Sequence, residues 1–462
     1  MDLKAMSKKK SIKIKDEILS SLFILLFLIV YPLNISQART ITLKAAIETA
    51  LKKSPVIRAK QHLISSKHEE LGEAKGAFLP NIDLYGTYTR TSDPQVVVPI
   101  KSFGGAPPTF SRDLYSSGLD IRIPIYEGGR LRSNLKIKEL EERLSKEVLN
   151  LTQEELAYLV RAVFDQCLYL DTLLEAQEET LSALKRLRED SKKRLEVGRV
   201  RPVDLMRIDA QLKDQEAQII NTKEARVRAR HLLSRLMGLS PDTDLEPTGA
   251  LHDVAGREYE IQLADIPKLI EDRPDIKKAI HEVKIKKEAI RLEKGLNYPA
   301  IDLVGNYGRR AGSGFDSDEE VWNAGIKVNL NIFSGGVITH RIRRARYEYL
   351  EKESELKDLR LRAIQEVKDA LSKIKEARAR IEAKRKAVES ARESFRIERL
   401  RYETGAGTIT DVLLQQAEWL SQKAGLTRAL YDLEMGKAEL DRALGRTVEL
   451  IESSMGSNHD KS

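Results

Sequence analysis

Two aspartates, Asp204 and Asp411, occupy matching places in the chain and are the residues best placed to do chemistry. Each lies six residues after a glycine, Gly198 or Gly405, and each begins a segment with the spacing of a helix. A carboxylate at the start of a helix is favoured by the helix dipole, so helix capping is one interpretation. The other is that a threefold assembly gathers these carboxylates into rings that select or gate cations at a narrow end.

Nothing else in the sequence has the arrangement of a catalytic or metal site. There is no Ser/His/Asp set, no phosphate-binding loop and no metal-ligand spacing among the seven histidines. The one cysteine, Cys167, lies inside a long helical segment, where an isolated thiol is usually a small apolar packing residue. We therefore expect no enzyme activity, no cofactor and no bound metal.

The glycines that precede the two aspartates each end a segment of unusual length. Arg130–Val197 and Val337–Thr404 have 68 residues each, contain neither glycine nor proline, and follow the pairs Gly128-Gly129 and Gly335-Gly336. Their apolar residues recur at helical spacing, and a helix of this length extends roughly 100 Å. Such helices do not fit a compact core, and their high charge excludes a helical membrane span.

The two long segments belong to an internal duplication with a constant offset of 207 residues. The corners between strands and helices are marked by Pro80 and Pro299, which each begin the motif P-x-I-D-L-x-G-x-Y, and by the two Gly-Gly pairs. The predicted units are residues 39–239 and 263–446, with a linker at 240–262 and a flexible tail at 447–462. Each unit is predicted to hold a helix, a strand hairpin (81–126 and 300–333), a long helix (130–197 and 337–404) and a half-length helix (203–237 and 410–444).

The hairpins are predicted to contain four strands, at 81–91, 116–126, 300–310 and 323–333, in which apolar and polar residues alternate. Their length and pattern fit transmembrane β-strands, and a sheet packed on a helix in a soluble domain is the alternative. Four strands cannot close a barrel, since the smallest barrels have about 8. Three copies of the chain would supply twelve. The loops at 92–115 and 311–322 are then expected to face the outside.

Residues 1–38 have the features of an export signal peptide. Five lysines lie between positions 8 and 15, Leu22–Val30 is apolar, and Ser36-Gln37-Ala38 supplies small residues for cleavage. A retained anchor is the alternative. An exported chain meets no nucleic acid, and a net charge of +8 spread over regular helices is typical of a solvated surface.

The helix lengths predict how the segments lie together. Two half-length helices placed end to end can flank one long helix, so the linker, the mature N-terminus and the tail should gather as a belt around its middle. The segment 337–404 carries 20 Lys or Arg and 13 Asp or Glu, so it is polar on nearly all sides. The wall of a water-filled tube has two such wet faces, and a soluble coiled-coil rod is the alternative.

These features together resemble the TolC-like outer membrane efflux protein family over residues 40–446. The resemblance lies in the duplicated order of strand hairpin, Gly-Gly and long helix, and in the distal turns V-G-R-V-R-P-V-D-L at 197–205 and T-G-A-G-T-I-T-D-V at 404–412. It implies a mostly α-helical homotrimer, in which long antiparallel coiled-coil helices form a tunnel through the periplasm. It also implies a 12-stranded β-barrel in the outer membrane, and docking of the tunnel tip to a periplasmic adaptor and an inner-membrane pump.

The resemblance also assigns roles at the tip. It implies that the turns at Gly198 and Gly405 meet the adaptor and that Asp411, with Asp204, lines the constriction. The chain departs from the family pattern at Leu414, where a second acid can stand, and at Gly407, where a linking arginine can stand. Other links are expected instead from three arginines on the first turn, Arg199, Arg201 and Arg207.

The predicted function is therefore export across the outer membrane, as the channel component of an efflux or type I secretion system. The alternative is a structural coiled-coil or adaptor protein of the cell envelope. Adaptors would show β-rich lipoyl-like segments around a single helical hairpin, and the sequence lacks them.

Overall fold

A computed structural model of the chain describes residues 39–97, 107–251, 261–315 and 319–448. The first repeat contains, in order, β1 (Arg39–Ile41), α1 (Leu43–Lys53), α2 (Pro55–Gly76), β2 (Asn81–Val96), β3 (Phe110–Glu127), α3 (Arg130–Glu196), α4 (Pro202–Leu236) and β4 (Leu245–Pro247). The second contains α5 (Ile266–Leu269), α6 (Pro274–Lys294), β5 (Ala300–Ala311), β6 (Glu319–Asn329), α7 (Val337–Glu403) and α8 (Ile409–Ala443). The predicted signal peptide lies outside the described residues.

The long helices α3 and α7 have 67 residues each, and glycines set both of their ends. Gly129 and Gly336 stand before the first turns with φ of +80° and +81°, a left-handed backbone that glycine adopts without strain. At the far ends, Gly198 and Gly405 have φ of +74° and +81° and reverse the chain into α4 and α8. Between these glycines nothing interrupts the helical hydrogen bonds, because no proline intervenes.

Half-length helices pack along the long ones. The 35-residue helices α4 and α8 return along the distal halves of α3 and α7. The helix α2 lies on α3 near the sheet, and α6 lies on both α3 and α7. Two main apolar clusters result, one per repeat: the first includes Val160, Phe164 and Leu233, and the second includes Val367, Ile374 and Leu433.

The connecting segments meet beside the middle of α3. β1 pairs in parallel with β4, which belongs to the linker. The Glu154 carboxylate of α3 accepts hydrogen bonds from the backbone N–H groups of Thr447 (2.7 Å) and Val448 (3.2 Å), at the start of the tail. N-terminus, linker and tail therefore share one level of the long helix.

The four remaining strands form one antiparallel sheet in the order β2-β3-β5-β6. Two strands of this sheet extend farther at one end than the sequence predicts. β2 continues to Val96 and β3 begins at Phe110, so parts of the predicted loop 92–115 are strand. An irregularity between Arg90 and Gln95 accommodates Pro94, which has no N–H to donate to the ladder.

The last strand is also placed differently. β6 runs from Glu319 to Asn329, whereas the prediction was 323–333. Its partner β5 begins at Ala300, directly after Pro299, and Ala300 pairs with Asn329. Residues 330–333 lie past the start of that partner, so no described strand of the same chain pairs with them.

Among the described residues, no helix contains a stretch long and apolar enough to cross a membrane.

Candidate functional site

The first tip joins α3 to α4 through Gly198 and places Asp204 in the first turn of α4. Arg201 donates to both carboxylate oxygens of Asp204, from Nε to Oδ2 (3.2 Å) and from Nη2 to Oδ1 (3.1 Å). These bonds raise the pKa of Arg201. Asp204 is 7% exposed, so this carboxylate is largely covered in the single chain.

The second tip joins α7 to α8 and holds Asp411 in a capping box. The Asp411 backbone N–H donates to Thr408 Oγ1 (3.2 Å), and Asp411 Oδ2 accepts from the Thr408 backbone N–H (3.3 Å) and hydroxyl (2.7 Å). The side chain is exposed. Asp411 thus caps the start of its helix and presents its carboxylate to solvent, whereas Asp204 makes no capping bond and pairs with the Arg201 side chain.

The two tips contact each other across the repeats. Arg207 Nη1 of α4 donates to Thr410 Oγ1 at 2.6 Å. Arg194 Nη1 of α3 donates to the Glu403 carbonyl at 3.2 Å, and the Arg194 Cζ atom lies 5.6 Å from the centre of the Tyr402 ring. Beneath these bonds lies an apolar tip cluster formed by Leu184, Ile208, Leu212, Tyr402, Ile409 and Val412.

Of the three arginines expected to link the tips, Arg207 does so, Arg201 bonds within its own turn, and Arg199 is exposed. The links through Arg194 and Tyr402 were missed. Tyr402 is the signal that could have revealed one of them, because it is an aromatic residue in the last turn of a highly charged helix. Tyr402 as a whole residue is 9% exposed, and its hydroxyl lies 3.2 Å from Ser191 Oγ.

Leu414 and Gly407, the two residues that depart from the family pattern, have different surroundings. Leu414 is 63% exposed on the first turns of α8. At Gly407 an added Cβ would lie 3.1 Å from the Cβ of Arg401, because the turn folds back tightly on the end of α7. A larger residue at 407 would have to push that turn open.

The corner residues lie at the opposite end of the long helices, beside the sheet. Pro80 and Pro299 precede β2 and β5, and the Gly-Gly pairs connect β3 to α3 and the segment after β6 to α7. Gly128 has a φ of +64° and sits against the Gly295 carbonyl, so no side chain fits there. These residues form the corners at which the chain turns between the sheet and the helices.

The described residues contain no group of His, Cys, Asp and Glu that could hold a metal ion. Burial raises the pKa of the Cys167 thiol to about 12, which keeps it in its unreactive form.

The similarity to known proteins falls in two blocks that correspond to the two repeats of the fold. A sequence model of the outer membrane efflux protein family matches residues 46–239 and 266–446, one block per repeat. The chain belongs to the outer membrane efflux protein family. The resemblance, the outer-membrane location and the general function as an efflux or secretion channel component, all predicted from the sequence, are thereby confirmed.

Relatives and solved structures extend over nearly the whole chain. The outer membrane efflux protein BepC of Brucella suis is 23% identical over 408 residues, covering 88% of this chain and 85% of BepC. The proteases secretion protein PrtF of Dickeya chrysanthemi is 23% identical over 423 residues, covering 88% of each chain. The crystal structure of VceC from Vibrio cholerae superposes with a TM-score of 0.75 at 20% identity, over 87% of this chain and 96% of VceC. The CmeC outer membrane channel of Campylobacter jejuni gives 0.76 at 16% identity, over 90% and 88%. The predicted fold class, mostly helical with long antiparallel helices, is confirmed.

Proposed function

We propose that three copies of this chain form a channel through the outer membrane, continued by an α-helical tunnel through the periplasm, as a passive conduit for exported molecules. The observation that carries the proposal is the four-stranded sheet at one end of two 67-residue helices. Within the described residues its outer strands, β2 and β6, each pair on one side only. Lipid leaves no edge unpaired, so β2 of one copy meets β6 of the next and twelve strands close the barrel.

The two faces of the sheet support this assembly. Leu84, Trp322 and Ile326 share one face and are 81%, 70% and 71% exposed in the single chain, as lipid-facing residues would be. On the other face, Asn306 Nδ2 donates to Asp120 Oδ1 (2.6 Å) and to the Tyr85 hydroxyl (3.0 Å). A polar network of this kind suits a wet bore.

The helices carry exposed apolar positions that a neighbouring copy would cover. On α4, Met206, Ile220 and Val227 are 69%, 60% and 42% exposed, and their spacing is a multiple of seven. Lys213 occupies the intervening heptad position, so the apolar residues form an interrupted stripe of the kind that lines a coiled-coil seam. The proposal places α4 against a helix of the next copy, and the tip turns at Gly198 and Gly405 against a periplasmic adaptor that joins an inner-membrane pump.

The test is the mass of the mature protein in detergent, measured together with membrane fractionation of the same cells. Three copies per particle in the outer-membrane fraction are expected. A periplasmic monomer or dimer soluble without detergent would contradict the channel and favour the structural rod or adaptor, in which the sheet packs against something other than lipid.

We also propose that Asp411 forms a carboxylate ring at the closed tip, and its two roles can be separated. Asp411→Asn keeps an acceptor oxygen for the Thr408 N–H but removes the charge, whereas Asp411→Ala removes both. In planar bilayers under a KCl gradient, we expect Asp411→Asn to reduce cation preference and Asp411→Ala additionally to raise conductance. The loss of the cap costs about 1 kcal/mol of helix stability.

The control is Asp214→Asn. Asp214 is an exposed acid on α4, ten residues beyond Asp204. This change removes the same charge away from the tip and should leave selectivity unchanged. If Asp411→Asn behaves like this control while Asp411→Ala does not, Asp411 acts only as a helix cap. Asp204→Asn, tested beside it, shows whether the first tip contributes to the ring.

A further inference from the structure

Five charged side chains meet between α3 of the first repeat and α8 of the second, far from both the sheet and the tip. They are Arg161 and Asp165 on α3, and Glu434, Lys437 and Asp441 on α8. Arg161 Nη1 donates to Asp441 Oδ2 at 2.7 Å, and its Nη2 lies 3.6 Å from Glu434 Oε2. Lys437 Nζ donates to Glu434 Oε1 at 2.8 Å. We call these residues the inter-repeat charge cluster.

Asp165 is the member of this cluster that lacks a close partner. Its Oδ2 atom lies 3.9 Å from Arg161 Nε, and both atoms are buried without a hydrogen bond in the described structure. The residue is 5% exposed. At Oδ2 an ionised carboxylate loses its hydration without gaining a hydrogen bond in return, which disfavours the ionised form.

The charges in the cluster do not balance when every acid is ionised. Two cations, Arg161 and Lys437, then face three carboxylates, and one buried negative charge is left over. Asp441 and Glu434 each accept a direct hydrogen bond from a cation, so Asp165 is the acid whose neutralisation costs the fewest contacts.

The surroundings of Asp165 compensate for its burial only in part. The pKa of Asp165 is raised to about 7, mainly by burial; the positive charge of Arg161 opposes this shift, the negative charge of Glu434 adds to it, and Lys437 opposes it. The nearest cations on α4, Arg226 and Arg230, are engaged with Asp171. From α1 the same stretch of α3 meets the apolar side chains of Ile47 and Ala50, and from α8 it also meets the Tyr431 phenol, whose pKa is raised mainly by burial.

We propose that Asp165 is a proton-binding site, and that the bound proton fastens the first repeat to the second by balancing the charges between α3 and α8. With the proton bound, the cluster is neutral and α8 packs against α3 without repulsion from Glu434. When the proton leaves, a buried negative charge remains and the contact loosens. All the contacts of this proton-dependent link lie within one chain, so the proposal does not depend on the proposed channel.

The sign of the pH dependence follows from the direction of the shift. The carboxyl binds its proton more tightly in the folded chain than in the unfolded chain, where an aspartate has its ordinary pKa near 4. Stability from this group is therefore full at low pH, and it falls as the pH rises through about 7. Between pH 5 and pH 7 the folded-to-unfolded ratio should drop about 50-fold per chain from this site alone.

The experiment compares thermal unfolding of the full-length mature protein in detergent from pH 5 to pH 9 for three proteins. In Asp165→Asn the side chain is always neutral, so we expect its unfolding midpoint to lose the decline that the wild type shows between pH 5 and pH 7. Glu175→Gln is the control, since Glu175 is an exposed acid ten residues farther along the same helix. It should keep the decline of the wild type.

A fourth protein distinguishes proton binding from a merely structural role. Glu434→Gln removes one of the two partnered acids, so an ionised Asp165 no longer leaves the cluster with excess negative charge. Its decline should then be smaller and should end at a lower pH than in the wild type, because the folded-state pKa of Asp165 falls while the unfolded pKa stays the same. Parallel midpoint-against-pH curves for the wild type and Asp165→Asn would overturn the proposal, as would a Glu434→Gln curve that keeps the wild-type window.

Discussion

Gly118→Ala is expected to reduce the yield of assembled protein in the outer membrane at least tenfold. Gly118 of β3 and Gly308 of β5 stand directly opposite each other. A Cβ added at Gly118 would lie 2.5 Å from the Tyr307 carbonyl oxygen and 2.6 Å from Gly308 Cα. Both are backbone atoms held by the sheet, so the strands themselves must move apart. Overpacking of this kind costs about 1–3 kcal/mol, and the strand pair it disturbs is the one that joins the two repeats.

Gly86→Ala is the matched control, because an added Cβ at Gly86 of β2 meets nothing within 4 Å. Both changes add one methyl group to a strand glycine of the same sheet. The measurement is the amount of oligomer in outer membranes, assayed by gel mobility without heating and by light scattering in detergent. Equal yields for the two variants would show that β3 and β5 do not approach as closely as the structure has them.

The side chain that covers these glycines explains why they are tolerated. Tyr85 of β2 stands opposite Gly118, and its hydroxyl bonds to Asn306. An aromatic ring laid over a glycine shields the bare backbone and restores packing that the glycine lacks. The close approach of β3 and β5 and the cover that Tyr85 provides are therefore linked features of this part of the sheet.

The parts of the fold that depend on local chemistry could be predicted from the sequence. The long helices begin and end within one residue of the predicted places, because Gly-Gly pairs and single glycines determine where those helices can start and stop. The ends of β2, β3 and β6 could not, because a strand ends where its partner ends. Alternation continues to Phe333, but β5 begins at Ala300 and offers no partner there.

The candidate site likewise contains some residues that the sequence reveals and others that it does not. Asp204 and Asp411 are visible in the sequence because they repeat at a fixed offset, and the partners of both carboxylates, Arg201 and Thr408, lie only three residues away. The contacts of Arg194 with Tyr402 and Glu403 join residues about 208 positions apart on helices that are charged on most sides, so no pattern selects Arg194 from its neighbours. Asp165 could have been suspected, since it interrupts the most apolar run of α3, between Phe164 and Leu168.

The contacts between the tips carry the second large prediction. The double variant Arg194→Ala/Arg207→Ala removes the bonds to Glu403 and Thr410 that hold the first hairpin to the second. Each is an exposed, charge-assisted hydrogen bond worth about 1 kcal/mol. Their joint loss should raise the ratio of open to closed tips roughly 30-fold per chain. The measurement is single-channel conductance and open probability in planar bilayers, where both should rise.

Arg201→Ala is the control for charge at the same turn. Arg201 carries the same charge and is also exposed, but its bonds go to Asp204 of its own hairpin. It should leave conductance near that of the wild type while loosening only the start of α4. If Arg201→Ala opens the channel as far as the double variant, the tip is closed by its overall charge rather than by bonds between hairpins. If neither opens it, the apolar tip cluster around Tyr402 and Ile208 holds the two hairpins together on its own, and Tyr402 becomes the residue on which closure depends.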